Sequence, residues 1–318
     1  MYRDRRVALV IPAYNEERLI GKTLAAVPPL FDRVYVVDDC SPDGQNAVIE
    51  RSAQSDSRVR LLKHKENQGP GGAIITGYLE SAREGFDYTV VIGGDHQMDL
   101  AQVGRFLDPL VDGRCDYTKG NRFLLKELAE TMRRMPRIRL FGNWVITLLT
   151  KISSGYFKVM DVVDGYTAIT RDAIETINWD IAWRGYGYPM DFLVRLNAYG
   201  FRVVDVARTA IYTPGERQSQ IKGFRYALRV SPMLIRDFFW RLRFKYMYRD
   251  FHPLVFFYLM GIPLVAIGFG TGGYLIWDKL FSDGVAVTGP KAILVALTML
   301  TGFQFLLFAM LFDMQEND

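Results

Sequence analysis

Short apolar runs that stop abruptly at acids or glycines recur along roughly the first 215 residues, separated by longer amphipathic stretches. VALVIPAY, from Val7, is a continuous apolar run and reads as a buried strand. ERLIGKTLAAVPPL follows it with helical spacing. RVYVVDD reads as a second strand ending in acids, GQNAVIERSAQ as a helix and VRLLKHK as a short third strand. GGAIITGYLESAREG is again helical, and YTVVIGGD is a fourth strand closed by an acid. This alternation predicts an α/β domain with a mostly parallel sheet covered by helices on both faces. In such sheets ligands bind beyond the carboxyl ends of the strands. Those ends read PAYNEE, DDCSPDG and GGDHQMD, the most polar parts of the domain.

The pattern changes near residue 253. Leu254 to Trp277 is an uncharged stretch of about 24 residues, and Ala292 to Phe312 one of about 21 with only Gln304 strongly polar, against the roughly 20 that a membrane-crossing helix needs. Gly261, Pro263, Gly268, Gly270, Gly272 and Gly273 in the first stretch suit close helix packing in lipid. Between the two patterns lies the segment from Ile221 to Pro253. It carries Lys222, Arg225, Arg229, Arg236, Arg241, Arg243, Lys245 and Arg249 against Asp237 and Asp250, interleaved with Phe, Trp, Tyr and Leu. Cations flanking a span stay on the cytoplasmic side. A two-span membrane protein with its large N-terminal region in the cytoplasm is therefore expected. The basic aromatic segment reads as helices lying in the headgroup layer. Because that segment leads straight into a span, a nucleic-acid partner is not expected. The N-terminal apolar run is broken by Pro12, Glu16 and Glu17, too early for a signal peptide.

Composition adds exclusions. The 318 residues are 49% hydrophobic and 23% charged, which rules out a disordered chain, a collagen-like chain and a disulfide scaffold. The two cysteines, Cys40 and Cys115, show no metal-pair spacing and read as reduced thiols. A zinc site is not expected, since the three histidines (His64, His96 and His252) have no partner at ligand spacing, and no Ser–His–Asp arrangement is apparent.

Three strand ends could carry chemistry. Asp38 and Asp39 close the second strand, and Ser41 and Asp43 read as a turn-to-helix cap. A carboxylate there can accept hydrogen bonds from a ribose or a base edge. After Gly93 and Gly94, where a diphosphate can approach the backbone, Asp95 offers a hard oxygen. Gln97 or Asp99 is a candidate second ligand, a set that suits Mg2+ shared with substrate phosphates. Asn67 to Ala73, NQGPGGA, is neither a Walker loop nor a strict GxGxxG. Its glycines, Gly69 among them, would let backbone N–H groups face a ligand at a helix start.

IPAYNEE, VVDDCSPDG, NQGPGGA, GGDHQMD and DYTKGNRF, in that order and spacing, resemble the family 2 glycosyltransferases of the GT-A fold. More narrowly they resemble the polyprenyl-phosphate glycosyltransferases, the group that includes dolichol-phosphate mannose synthase. The resemblance spans about residues 5 to 225, and the C-terminal pair of spans matches the members with a membrane hairpin. It implies a GT-A domain over 1–215, basic juxtamembrane helices over 216–252, and a transmembrane hairpin with a short tail over 253–318. Pro12, Ala13, Tyr14, Glu16 and Asp38 would line the nucleotide pocket, with Gly69 and Gly94 close to the donor. Asp95 and Gln97 would hold Mg2+ or Mn2+ on the donor diphosphate. Arg122 would face the phosphates or the sugar, and Asp191 would orient acceptor or sugar hydroxyls. Arg217, Ser219 and Lys222 match the family's basic motif, and Lys222 or Arg225 would guide the acceptor phosphate. One departure is plain: Gly93 stands where many relatives carry the first acid of Asp-x-Asp, which leaves more of the coordination to Asp95. The implied partners are a nucleotide-diphosphate sugar (uridine rather than guanosine), a polyprenyl or dolichyl phosphate, membrane lipid and, as hairpin-bearing relatives can associate, a second copy of the chain. Two other readings stay open here: a processive polysaccharide synthase, whose Gln-x-x-Arg-Trp motif the chain lacks, and a donor-binding scaffold without catalysis.

Overall fold

The computed structural model describes residues 1–122, 137–209, 211, 223–281 and 288–317. The expected β–α alternation is present. It runs β1 (Val7–Ala13), α1 (Glu17–Ala25), β2 (Arg33–Asp38), α2 (Gln45–Ser55), β3 (Val59–Lys63), α3 (Gly69–Arg83) and β4 (Tyr88–Val91). A 3-10 turn and α4 (Val103–Val111) lead to β5 (Tyr117–Asn121). Then come α5 (Arg137–Ser154), β6 (Thr167–Thr170), α6 (Arg171–Thr176), α7 (Tyr188–Ala198) and β7 (Val203–Ala207).

The seven strands form one sheet in the order β3-β2-β1-β4-β6-β5-β7. All pairings are parallel except those of β6, which runs antiparallel to both β4 and β5. Strand residues alternate between two cores, as a period of two requires. Ala8, Val10, Tyr35 and Val37 face α3 and α7, whereas Val7, Leu9, Val34 and Val36 face α1, α2 and α4. Helices on both faces explain why β1 is almost wholly apolar. In α3, Gly77 lies so close to Val10 that any Cβ would collide with that side chain, which brings the helix down onto the sheet. The reversal at β6 matters for function. It brings the start of β6 beside the end of β4, with Thr167 opposite Val91, and beside the end of β5, with Thr167 opposite Lys119. One edge of the sheet therefore collects the carboxyl ends of six strands and the amino end of the seventh.

The chain divides into two compact units, Met1–Phe238 and Phe239–Asp318. The second holds the end of α8 (Gly223–Arg243), a π-helical turn over Phe244–Arg249, α9 (Leu254–Phe281) and α10 (Gly289–Glu316). The last two helices are long and apolar enough to cross a membrane. They pack antiparallel: Gly261 abuts Leu306 and Gly302, Gly268 abuts Met299, and Gly272 abuts Val295. Phe256, Leu259, Phe269, Leu294, Leu300 and Leu307 point outward and are exposed.

A buried ion pair closes the open end of this hairpin. Arg241 donates two hydrogen bonds to the Asp313 carboxylate, at 2.8 and 2.6 Å, and both residues are fully buried. The Tyr246 hydroxyl donates to Asp313 at 2.6 Å, and Lys245 donates to the Asn317 side chain at 2.6 Å. Removing one partner of such a pair leaves a buried charge uncompensated. Asp313→Ala should lower stability by about 3–5 kcal/mol, read as a fall in the melting temperature in detergent micelles, and the double change Arg241→Met, Asp313→Leu should recover most of it.

Candidate active site

The chain leaves β1, β2 and β4 through residues with left-handed backbone: Asn15 (φ 59°), Cys40 (φ 59°) and His96 (φ 55°). Such conformations are uncommon outside glycine and gather where a loop must turn sharply at a functional edge. Each strand end is then tied to its neighbour. Asp39 N–H donates to Ala13 O at 3.0 Å, and Ser41 Oγ accepts from Asn15 N–H at 2.8 Å and donates to Asp43. Asp43 was expected to cap the helix after it, and Gln45 N–H does reach its Oδ1 at 3.3 Å. Its Oδ2 also accepts Glu17 N–H at 2.9 Å, while Glu17 returns a carboxylate to Gly44 N–H, so α1 and α2 cap each other.

The two acids closing β2 are both buried. Asp38 accepts from Ser41 N–H at 3.1 Å, from Gln45 Nε2 at 2.6 Å and from Asn46 Nδ2 at 3.0 Å. Asp39 accepts from Gln68 N–H at 2.8 Å and Gly69 N–H at 2.7 Å, and its Oδ1 lies 2.7 Å from His64 Nδ1. His64 Nε2 lies 2.9 Å from the Thr76 hydroxyl. This Asp–His–Thr line was not apparent in the sequence, because its members are spread over β2, the loop after β3 and α3. Thr76 is tied back to Gly72 O within the helix, a structural use of its hydroxyl.

The glycine-rich loop departs from expectation. Gly69 N–H is spent on Asp39, and Gly71 and Gly72 N–H point to Arg184 O, at 2.7 and 3.3 Å. Its glycines serve close packing instead of a ligand: Gly69 has φ 82°, and a Cβ on Gly69 or Gly71 would lie 2.6 Å from the Arg184 or Trp183 carbonyl oxygen. The loop thereby holds Trp183 to Tyr188, which carries the exposed Tyr186. Burial, then the charge of Glu16, raises the Tyr186 hydroxyl pKa. With Tyr14, also exposed, this ring belongs to the rim near β1.

Asp95 sits past β4, partly exposed. Burial pushes its carboxyl above the usual range, opposed by N–H groups of Gln97 and its own backbone and by the charges of Arg208 and His96. Gln97 N–H reaches its Oδ1 at 3.2 Å. Among the described residues no cluster of three acids, histidines or cysteines forms a cage. A single hard, partly exposed carboxylate fits an ion that keeps its waters and arrives with a diphosphate, as Mg2+ does. A Cβ at Gly93 would lie 3.0 Å from Asp95 Oδ1, the movable end of that side chain.

Along the same edge lies a buried charge cluster that the sequence did not announce. Arg122 chelates Asp161 at 2.7 and 3.0 Å and approaches Asp164 at 3.2 Å. Arg208 reaches Asp164 through Nε at 2.8 Å and Nη2 at 2.6 Å. Lys119, fully buried, donates to Asp164 O, and burial lowers its pKa. Burial pushes Asp161 up, but Arg122 and Lys119 outweigh it and hold its carboxyl below the ordinary range. The only signal was DVVDGY, with two acids three residues apart.

Pro12 to Glu16, Asp38, Gly94 to Gln97 and Arg122 thus gather at one edge. Asp191 does not open onto it. It is fully buried in α7, where it takes two hydrogen bonds from Arg195 at 2.8 and 2.9 Å and one from Trp183 N–H at 2.9 Å. Arg217, Ser219 and Lys222 lie outside the described residues. Arg225 belongs to α8, but its side chain is likewise outside them.

The family model for glycosyl transferase family 2 matches residues 8–177. The chain belongs to glycosyl transferase family 2. An undecaprenyl-phosphate mannosyltransferase of Micrococcus luteus is 31% identical over 65% of the chain and 84% of its own length. A UDP-N-acetylglucosamine–dolichyl-phosphate N-acetylglucosaminyltransferase of Methanococcus voltae is 26% identical over 66% and 87%. Among solved structures, glucosyl-3-phosphoglycerate synthase of Mycobacterium tuberculosis, in complex with Mn2+, UDP-glucose and phosphoglyceric acid, superposes with a TM-score of 0.53. It is 18% identical over 75% of this chain and 80% of that one, a likeness that establishes the GT-A-like fold.

A pH dependence follows from packing within the first compact unit. Asp237 of α8 is buried beside Asp191, and Arg236 donates to its Oδ1 at 2.9 and 2.8 Å while its Oδ2 has no hydrogen-bond partner among the described residues. Burial, then the charge of Asp191, raises its pKa from 3.8 to about 7. The folded chain therefore binds more protons than the unfolded chain between about pH 4 and 7, and stability falls as pH rises through that window. Asp237→Asn should flatten this slope, read as melting temperature in detergent across the same range.

Proposed function

We propose that this chain transfers a sugar from a nucleotide-diphosphate sugar, with uridine as the base, to a polyprenyl or dolichyl phosphate at the cytoplasmic face of a membrane, inverting the anomeric centre. What carries this reading is the pairing, in one family 2 chain, of the Asp95 edge with a two-helix apolar hairpin, in the company of relatives named for polyprenyl-phosphate acceptors. Residues 1–215 do the chemistry, 216–252 lie in the headgroup layer and 253–318 anchor the chain. The exposed face of α8 suits that layer, since it alternates Leu228, Ile235 and Phe239 with Arg229, Arg236 and Arg243.

Asp95, with Gln97, would hold Mg2+ or Mn2+. When bound, the ion supplies positive charge to the departing diphosphate. Pro12, Ala13, Tyr14, Glu16 and Asp38 shape the nucleotide side, with the Gly94 backbone close to the donor. Arg122 and Arg217 add positive charge where negative charge grows. A phosphate monoester has a second pKa near 6, so the lipid phosphate is largely dianionic at pH 7 and attacks with little help from a general base. Asp191, buried against Arg195, then acts by fixing the Trp183–Tyr188 loop. Ser219, Lys222 and Arg225 receive the acceptor phosphate. Its tail stays in the bilayer, because exposing it costs about 0.8 kcal/mol per CH2.

In vesicles containing a short polyprenyl phosphate, the chain should convert labelled nucleotide sugar to a lipid-linked monosaccharide, and chelation of divalent ions should stop it. Asp95→Asn should lower turnover by at least about 100-fold without lowering the melting temperature. Full activity in that variant would remove the metal role. Long polymers as product would favour a processive synthase, and donor binding without any lipid-linked product would favour a scaffold.

A further inference from the structure

Arg208 follows β7 and is 5% exposed. The chain beyond it is stitched to the turn that carries Asp95. Thr209 N–H donates to Gln102 Oε1 at 3.0 Å and Ile211 N–H to Gln97 O at 3.1 Å, while Arg208 N–H itself donates to Asn121 O at 3.2 Å. The backbone at Arg208 is therefore fixed at the carboxyl edge from both sides. The Nε and Nη2 edge of the guanidinium is turned onto Asp164. Asp164 is oriented in turn by Tyr166 N–H on its other oxygen, at 2.8 Å. Gly120 leaves the space this arrangement needs, since a Cβ there would lie 2.7 Å from Asp164 and 3.0 Å from Arg208 Cδ.

The other edge of the guanidinium is not used. Nη1 is buried and has no hydrogen-bond partner among the described residues. An unpartnered charged donor in a buried place is costly, and native structures seldom keep one without a use. The same guanidinium is close enough to Asp95 for its charge to act on that carboxyl. The setting has one acid fewer than the Asp-x-Asp pattern, because Gly93 stands in the first place.

We propose that Arg208 is a further donor-binding residue, whose Nη1 edge takes a phosphate oxygen of the nucleotide diphosphate beside Asp95. The inference rests on the glycosyl-transfer reading above and deepens it. With one carboxylate at the ion site, the hold on a divalent ion is weak, and a fixed guanidinium supplies charge that does not depend on the ion. Asp164 is its positioning residue. A guanidinium locked on one edge presents the other with little loss of rotamer freedom, which suits recognition of a phosphate oxygen.

The test is calorimetric titration of the full chain in detergent, with EDTA present, using uridine and guanosine mono- and diphosphates and, separately, a short-chain prenyl phosphate. The wild type should bind one diphosphate more tightly than its monophosphate without any divalent ion. Arg208→Lys keeps the ion pair with Asp164 but has no second edge. Arg208→Gln removes the charge and leaves Asp164 with Arg122 as a partner at 3.2 Å. Both, confirmed as folded by their melting temperatures, should bind the diphosphate about 10- to 100-fold more weakly with prenyl-phosphate binding unchanged. The proposal is overturned by unchanged diphosphate affinity in either folded variant, by a loss confined to prenyl phosphate, or by a wild type that, in EDTA, binds the diphosphate no better than the monophosphate. If the wild type binds no nucleotide even with Mg2+, the glycosyl-transfer reading itself falls.

Discussion

A carboxylate taken out of water needs donors or cations around it, and at the carboxyl edge of this sheet that need organises the loops. Asp39 gathers the start of α3, the α3 loop then holds the Trp183–Tyr188 segment through Arg184 O, and Asp191 fixes that segment from below. Asp164 and Asp161 do the same for two guanidiniums on the far side of Asp95. Asp38, Asp39, Asp161 and Asp164 are each held by several donors from within the protein. Asp95 beside them is partly exposed, with a carboxyl raised mainly by burial. A network that fixes its neighbours while leaving one oxygen donor accessible is preorganised for charge that arrives with a ligand.

The cations of this edge are arranged by the same need. Arg122, Lys119 and Arg208 are all drawn toward aspartates before any ligand arrives. Their charges are held in place by contacts made on folding, so little reorganisation would be needed to meet negative charge there. Burial would expel such cations if they stood alone, and the paired aspartates are what make them tolerable in the interior.

Much of this architecture was legible in the sequence. The first four strands and their helices announce themselves through apolar runs broken by acids, because each βα unit is built from neighbouring residues. The hairpin was equally plain from the length of its uncharged runs. What hid were partnerships across sequence. The glycines of NQGPGGA look like a ligand-facing loop, and only folding shows that Arg184 occupies their N–H groups. Asp43 reads as a cap for the helix after it, yet it also caps the helix before it. Asp191 looks like an accessible acid until Arg195, one helical turn on, closes over it. Arg208 belongs to no motif, and its partner Asp164 comes from the segment before β6, far from it in sequence.

The reversed strand β6 has a consequence for the order in which the molecule is made. Strands β1 to β3 emerge in sequence and pair as neighbours, and β4 then returns to lie beside β1, with Tyr88 opposite Val7, so this side of the edge can assemble as the chain lengthens. The opposite side has to wait for β6 and β7, whose partners were synthesised much earlier, and contacts of wide sequence separation form slowly because the intervening loop must first be closed. Until they arrive, β4 presents a bare flank with its backbone donors and acceptors unmet, the kind of flank that invites pairing with a stranger. The interval between synthesis of β4 and of β6 is therefore the window in which the nascent chain is most open to aggregation.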